Sequence, residues 1–88
     1  MKRRVVITGM GVVSPIGSTV DKFWDGLIHG KSGISHIDTF DVSEYPTQIA
    51  GIVRDFDAEV YMDRKDARRF DQFAQFAVGA SVQALQDS

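Results

Sequence analysis

Eighty-eight residues, 43% hydrophobic and 25% charged, have the balance of one small soluble globular domain and exclude a disordered tail. A net charge of −2 sets the chain apart from nucleic-acid binders, which are basic overall, and zero cysteines exclude a disulfide framework, a thiolate metal site and a cysteine nucleophile here. No stretch reaches the length of a membrane span, and Thr8, Gly9, Gly11 and Pro15 interrupt the apolar run after Lys2-Arg3-Arg4 before a signal-peptide core forms, so the expectation is a cytoplasmic protein with neither membrane nor nucleic acid as partner.

The first organised stretch is Arg4 to Gly17, RVVITGMGVVSPIG. Val5, Val6 and Ile7 form an unbroken β-branched run closed by Thr8 and Gly9, the pattern of a strand buried on both faces within a parallel or mixed sheet. Gly9, Gly11 and Ser14 approximate the dinucleotide fingerprint GxGxxG. In that motif, however, the glycines open directly into a helix whose free N–H groups hold a pyrophosphate. Here Pro15 and Gly17 intervene and the third glycine is missing, so the alternative is that Gly9 and Gly11 permit close backbone packing.

A first helix is expected from Thr19 to His29, capped by Ser18 or Thr19, with Asp21 at its positive end and Gly30 where it stops. Val20, Trp24, Leu27 and Ile28 share a face at helical spacing, with Phe23 beside it, and Trp24 reads as core. His29 suits the helix dipole. His36 falls in a polar connection from Lys31 to Pro46 and reads as a loop residue; neither histidine has a partner at metal-ligand spacing. Thr47 to Val53 is expected as a second strand, with Ile49 and Val53 on one face and Gly51 marking a bulge or a close neighbour. Asp55, Asp57 and Glu59 read as a solvated acidic connection, not as acid–base catalysts.

The last segment carries the second strong pattern. Arg64, Lys65, Arg68 and Arg69 place four of the ten basic residues within six positions, and a long helix is expected from Ala67 to Gln86. From Gln72 to Gln86, fifteen residues carry no charge, and apolar or small side chains run around nearly the whole helix. Gly79 costs such a helix about 1 kcal/mol relative to alanine, a cost tolerated where another backbone comes close. A helix apolar all round belongs inside a large body, and 88 residues cannot enclose it. With the doubly buried strand, this leads to the expectation that the chain is the N-terminal piece of a larger α/β protein, aggregation-prone or molten when alone.

The same residues carry a resemblance. RVVITGMGVVSPIG, FWDGLIHGKSGI, Phe40-Asp41, Ile49 to Gly51 and RRFDQFAQFA, in this order and spacing, resemble the start of the β-ketoacyl-[acyl-carrier-protein] synthases, nearest to synthase II of bacterial fatty acid synthesis. Phe70 stands where many relatives carry methionine, a volume-tolerant exchange. The resemblance implies a thiolase-like fold of stacked α-β-α-β-α layers, with residues 1–88 as the N-terminal segment of its first half and Val5 to Gly9 as one of its strands. It implies an acyltransferase that lengthens acyl chains by decarboxylative Claisen condensation with malonyl-carrier, working as a homodimer through a cysteine and two histidines. No cysteine is present, and His29 and His36 do not match the catalytic positions, so the segment alone is expected to be inert, with no cofactor of its own. A non-catalytic chain-length-factor-type relative and, on different grounds, a nucleotide-binding βα unit are the alternatives.

Lys65, Arg68 and Arg69, at i, i+3 and i+4, share one helix face. Residues alone allow a solvated helix start neutralised by Asp63, Asp66 and Asp71. The resemblance implies that these cations belong to the docking patch for acidic acyl carrier protein, and cations at a helix start, opposed to the macrodipole, would ask for such a reason.

Overall fold

The computed structural model describes residues 2–88, which fall into two compact units, Val13–Phe56 and a second made of residues 2–12 with Asp57–Ser88. In the first unit, Ser14 and Gly17 exchange backbone hydrogen bonds at 3.1 and 3.2 Å around Pro15-Ile16, and the Ser14 hydroxyl donates to the Gly17 carbonyl at 2.7 Å. Ser18 follows, buried, its hydroxyl donating to Asp55 Oδ1 at 2.7 Å. Thr19 then caps helix α1 (Val20–Ile28), accepting the Lys22 N–H at 3.2 Å, with Asp21 in the first turn as expected. Helix α1 ends at Gly30, whose φ of 67° suits glycine; Gly30 N–H returns to Leu27 O and Lys31 N–H to Gly26 O, the paired bonds of a Schellman stop.

Two short antiparallel strands complete this unit, β1 (Ile34–His36) and β2 (Ile49–Gly51), in the register Ile34↔Gly51, Ser35↔Ala50, His36↔Ile49. One more bond, Ile37 N–H to Gln48 O at 2.8 Å, extends the ladder. The expected second strand is therefore real but shorter than Thr47–Val53. Its partner lies inside the segment read as connection, and His36 is a strand residue, not a loop residue. Three residues carry too little alternation to announce a strand; pairing makes this one. The expected close neighbour of Gly51 is Pro15, whose Cγ would stand 3.1 Å from a Cβ there. Val42, 4% exposed, is the one buried hydrophobic side chain among the described residues.

In the second unit, residues 9–12 lie along the last helix. Met10 N–H donates to Asp87 Oδ2 at 3.0 Å, and Gln83 clasps Val12, accepting its N–H and donating to its carbonyl, both at 3.2 Å. A side chain at Gly9 would strike the Ala84 carbonyl, and one at Gly11 the Ala80 carbonyl. This is the close backbone packing offered as the alternative to a nucleotide motif. Upstream, the doubly buried strand expected over Val5 to Gly9 is absent: these residues join no ladder among the described residues, and Val5 is 94% exposed. A central strand exists only between neighbours, and none of the described strands reaches it.

The single helix expected from Ala67 to Gln86 is two helices, α2 (Arg64–Arg69) and α3 (Gln72–Asp87). Phe70 and Asp71 are extended, with ψ of 137° and 160°, and Asp71 takes the N-cap position of α3. A 3-10 turn, Ala58–Val60, precedes α2 and is capped by Asp57, which accepts the Glu59 N–H at 3.0 Å. The apolar faces read as core are covered only in part: Val20, Phe23, Phe76 and Val78 are half-buried, Trp24 is 61% and Phe73 75% exposed, and Gly79 is the buried residue of α3. No helix is long and apolar enough to cross a membrane among the described residues.

Candidate functional site

Helix α2 is built by its neighbours in sequence. Asp63 caps it, accepting the Asp66 N–H at 2.9 Å, and the Ala67 N–H closes the first turn on Asp63 O at 3.0 Å. Arg64 turns back to Glu59 at 3.5 Å, an exposed pair. That leaves Lys65, Arg68 and Arg69, all exposed and forming no ion pair among the described residues. Helix α2 thus carries four cations against one carboxylate in a chain whose net charge is −2.

Two expectations about this helix need correction. Asp63, Asp66 and Asp71 do not neutralise its cations by ion pairing; Asp63 is occupied as a cap, and Asp71 opens the next helix. Nor do the arginines oppose the macrodipole. Arg68 and Arg69 lie in the last turn of α2, where a cation is favourable, and only Lys65 sits near the positive end. One long helix beginning near Ala67 would have set the arginines against its positive end; the break at Phe70-Asp71 places them at the negative end of α2 instead.

Other candidates have structural occupations. The N–H groups of Met10 and Val12, which a phosphate-cradling turn would leave free, are taken by Asp87 and Gln83. Asp55 accepts from Ser18, Asp57 caps the 3-10 turn and Glu59 meets Arg64, so the acidic connection is structural. His29 closes α1, its Nδ1 lying 2.8 Å from Asp25 O and 3.2 Å from Asp25 Oδ1; both neighbours are acceptors, so this nitrogen carries the proton. The backbone N–H and hydroxyl of Ser43 hold the Asp41 carboxyl below its ordinary value of 3.8.

A cavity of about 250 Å3 within the unit Val13–Phe56 is lined by Pro15, Ile16, Lys31, Arg54 and Asp55, among others. Its polar groups are largely committed. Arg54 Nη1 donates to both Asp38 oxygens at 2.9 and 3.0 Å and Nη2 donates to Ser35 Oγ at 3.1 Å, while Asp55 holds Ser18. Among the described residues no three of His, Cys, Asp and Glu gather as a metal site would require.

Sequence reasoning passed over the glutamines of α3. Gln75 and Gln83 reach out of the helix to backbone carbonyls and to Tyr61 Oη, 3.0 Å from Gln83 Nε2. Both stand inside the uncharged run, among its four glutamines, where a polar group that becomes half-buried must find a partner.

Known proteins place this geometry in context. The family model described as the N-terminal domain of β-ketoacyl synthases matches residues 2–88. The 3-oxoacyl-[acyl-carrier-protein] synthase 2 of Vibrio harveyi is 52% identical over 87 residues, 99% of this chain and 21% of the relative. The protein of the same name from Coxiella burnetii is 54% identical with the same coverage, and the chloroplastic 3-oxoacyl-[acyl-carrier-protein] synthase I of Arabidopsis thaliana is 46% identical over 99% of this chain and 18% of its own length. The chain thus spans about a fifth of the length of the curated relatives it matches. With the match running through every element from Lys2 to Ser88, the chain belongs to the β-ketoacyl synthase family, in its N-terminal domain.

Proposed function

We propose that the chain is the N-terminal segment, residues 1–88, of a 3-oxoacyl-[acyl-carrier-protein] synthase, an acyltransferase of fatty acid biosynthesis that elongates acyl chains by decarboxylative condensation with malonyl-carrier. The observation that carries this reading is identity above 50% to several proteins of that name across 99% of the chain. In the thiolase-like layered fold this implies, Val5 to Gly9 gains strand neighbours from the rest of the enzyme, which accounts for its exposure here. The cysteine and histidines of the condensation lie outside these residues, so this segment contributes scaffold and surface, not covalent chemistry. A homodimer in the cytoplasm, with no cofactor beyond the carrier's phosphopantetheine, completes the proposal.

The surface it contributes is α2. Lys65, Arg68 and Arg69 are the carrier-protein-binding residues, supported by their exposure, their shared face and the lack of ion-pair partners among the described residues. Acyl carrier protein is acidic, and exposed charge pairs are worth only about 0–1 kcal/mol each. Such a patch acts by steering encounter and fixing orientation, with strong salt sensitivity. The test of the function is condensation by the full-length protein. Given acyl-carrier and malonyl-carrier, it should release carbon dioxide and form 3-oxoacyl-carrier. Absence of product with an intact fold would favour the chain-length-factor-type relative, and saturable binding of NAD or ATP would favour the nucleotide unit.

A further inference from the structure

Helix α2 is six residues long, less than two turns, and a helix that short does not hold itself in water. Its start is secured by Asp63; its end is the harder problem. The Phe70 N–H closes on Asp66 O at 3.1 Å, and Phe70 then turns extended, so no following helical N–H serves the Ala67 carbonyl. Gln75, which closes the first turn of α3, serves it instead. Its Nε2 donates to Ala67 O at 2.7 Å and lies 3.4 Å from Phe70 O, and the surrounding site is half-buried. Two carbonyls converging on one amide end require that end to be the NH2 group, which has two hydrogens to give.

We infer that Gln75 is a positioning residue for carrier recognition: it closes the C-terminal end of α2 from outside and holds it at a fixed angle to α3, so that Lys65, Arg68 and Arg69 present one face. This rests on the docking assignment for α2. Cations three and four positions apart share a face only while the turns between them exist. Without the Gln75 bonds the last turn of α2, which carries two of the three cations, is free to fray, and the patch loses its geometry while keeping its charge. Gln75 itself touches no reacting group; its effect passes through the helix it ends.

The test uses the full-length synthase with Gln75→Met, which keeps length and helix propensity but removes both donors, and Gln75→Glu, which turns a carboxylate toward the carbonyls. Both variants should speed amide exchange in residues 64–70 and lower kcat/KM for carrier-bound acyl substrate about threefold to tenfold, through KM. Turnover of a small free thioester should not change. In a Lys65→Glu, Arg68→Glu background, Gln75→Met should have no further effect, because the patch it positions is gone. Should Gln75→Glu fail to fold, Gln75→Met still decides. Equal losses on both substrates would make Gln75 a general fold residue and overturn the inference. So would unchanged exchange and unchanged carrier kinetics. If the charge reversals discriminate between substrates and Gln75→Met does not, the inference fails while docking stands. If the charge reversals do not discriminate either, the docking assignment falls and takes the inference with it.

Discussion

The two units use their charged side chains differently. In Val13–Phe56 several of them are paired within the unit. Arg54 is shared between Asp38 and Ser35, Asp55 is taken by buried Ser18, and Asp25 meets His29. In the unit formed by residues 2–12 and Asp57–Ser88, long-range structure is carried by neutral amides and by Asp87, which hold backbone segments as much as 77 positions away in sequence; of the α2 cations only Arg64 has an ion-pair partner among the described residues. Cations that stabilise a fold acquire partners within it. That Lys65, Arg68 and Arg69 share one face of a short helix with no ion pair among the described residues is what supports the docking role proposed for them.

Substitutions at three positions sharpen that contrast. The largest effect is expected at Gly11, where a methyl group would enter the Ala80 carbonyl and lie 2.8 Å from Gln83 Cβ. Helix backbone cannot yield as a side chain can, so Gly11→Ala should destabilise the full-length protein by about 3 kcal/mol, read from the denaturant midpoint. Next comes Gln83→Leu, which strips the N–H and carbonyl of Val12 and the Tyr61 hydroxyl of one shared partner. A loss of about 1–3 kcal/mol is expected, and wild-type stability would mean that the clasp is incidental. Smallest is Arg54→Met, removing the exposed pair with Asp38. With both partners roughly half exposed, its loss should cost about 0–1 kcal/mol and vanish at high salt. A larger, salt-independent cost would show that Arg54 serves packing as well.

What could be read from the sequence follows from where the determining interactions lie. Helix α1 was legible almost to the residue because its signals are local: Thr19 caps it, Asp21 suits its dipole and Gly30 takes the positive φ that ends it. The α2–α3 break was missed although Asp71, directly before an uncharged apolar run, is a cap signal of the same kind; the continuous basic and aromatic pattern across Phe70 obscured it. Strand β1 could not be read, since three residues have no period and the ladder with β2 is nonlocal. The run Val5 to Ile7 reads as a core strand, yet it stands exposed and joins no ladder among the described residues, because a strand is made by pairing and not by its own pattern. Of the candidate site, the shared face of the three cations was legible by spacing, and the docking role proposed for them came from the family resemblance alone. Their support by Gln75 was not legible, because a side chain that caps a different helix leaves no mark at fixed spacing.

The most direct test of the account is a comparison of two substrates on one variant. Lys65→Glu combined with Arg68→Glu in the full-length enzyme should lower kcat/KM for carrier-bound acyl substrate by about tenfold or more at low ionic strength and flatten its salt dependence. Turnover of a small free thioester should stay near wild type. Equal losses on both substrates, or a carrier reaction with its salt dependence intact, would contradict the assignment of α2 as the carrier-docking helix.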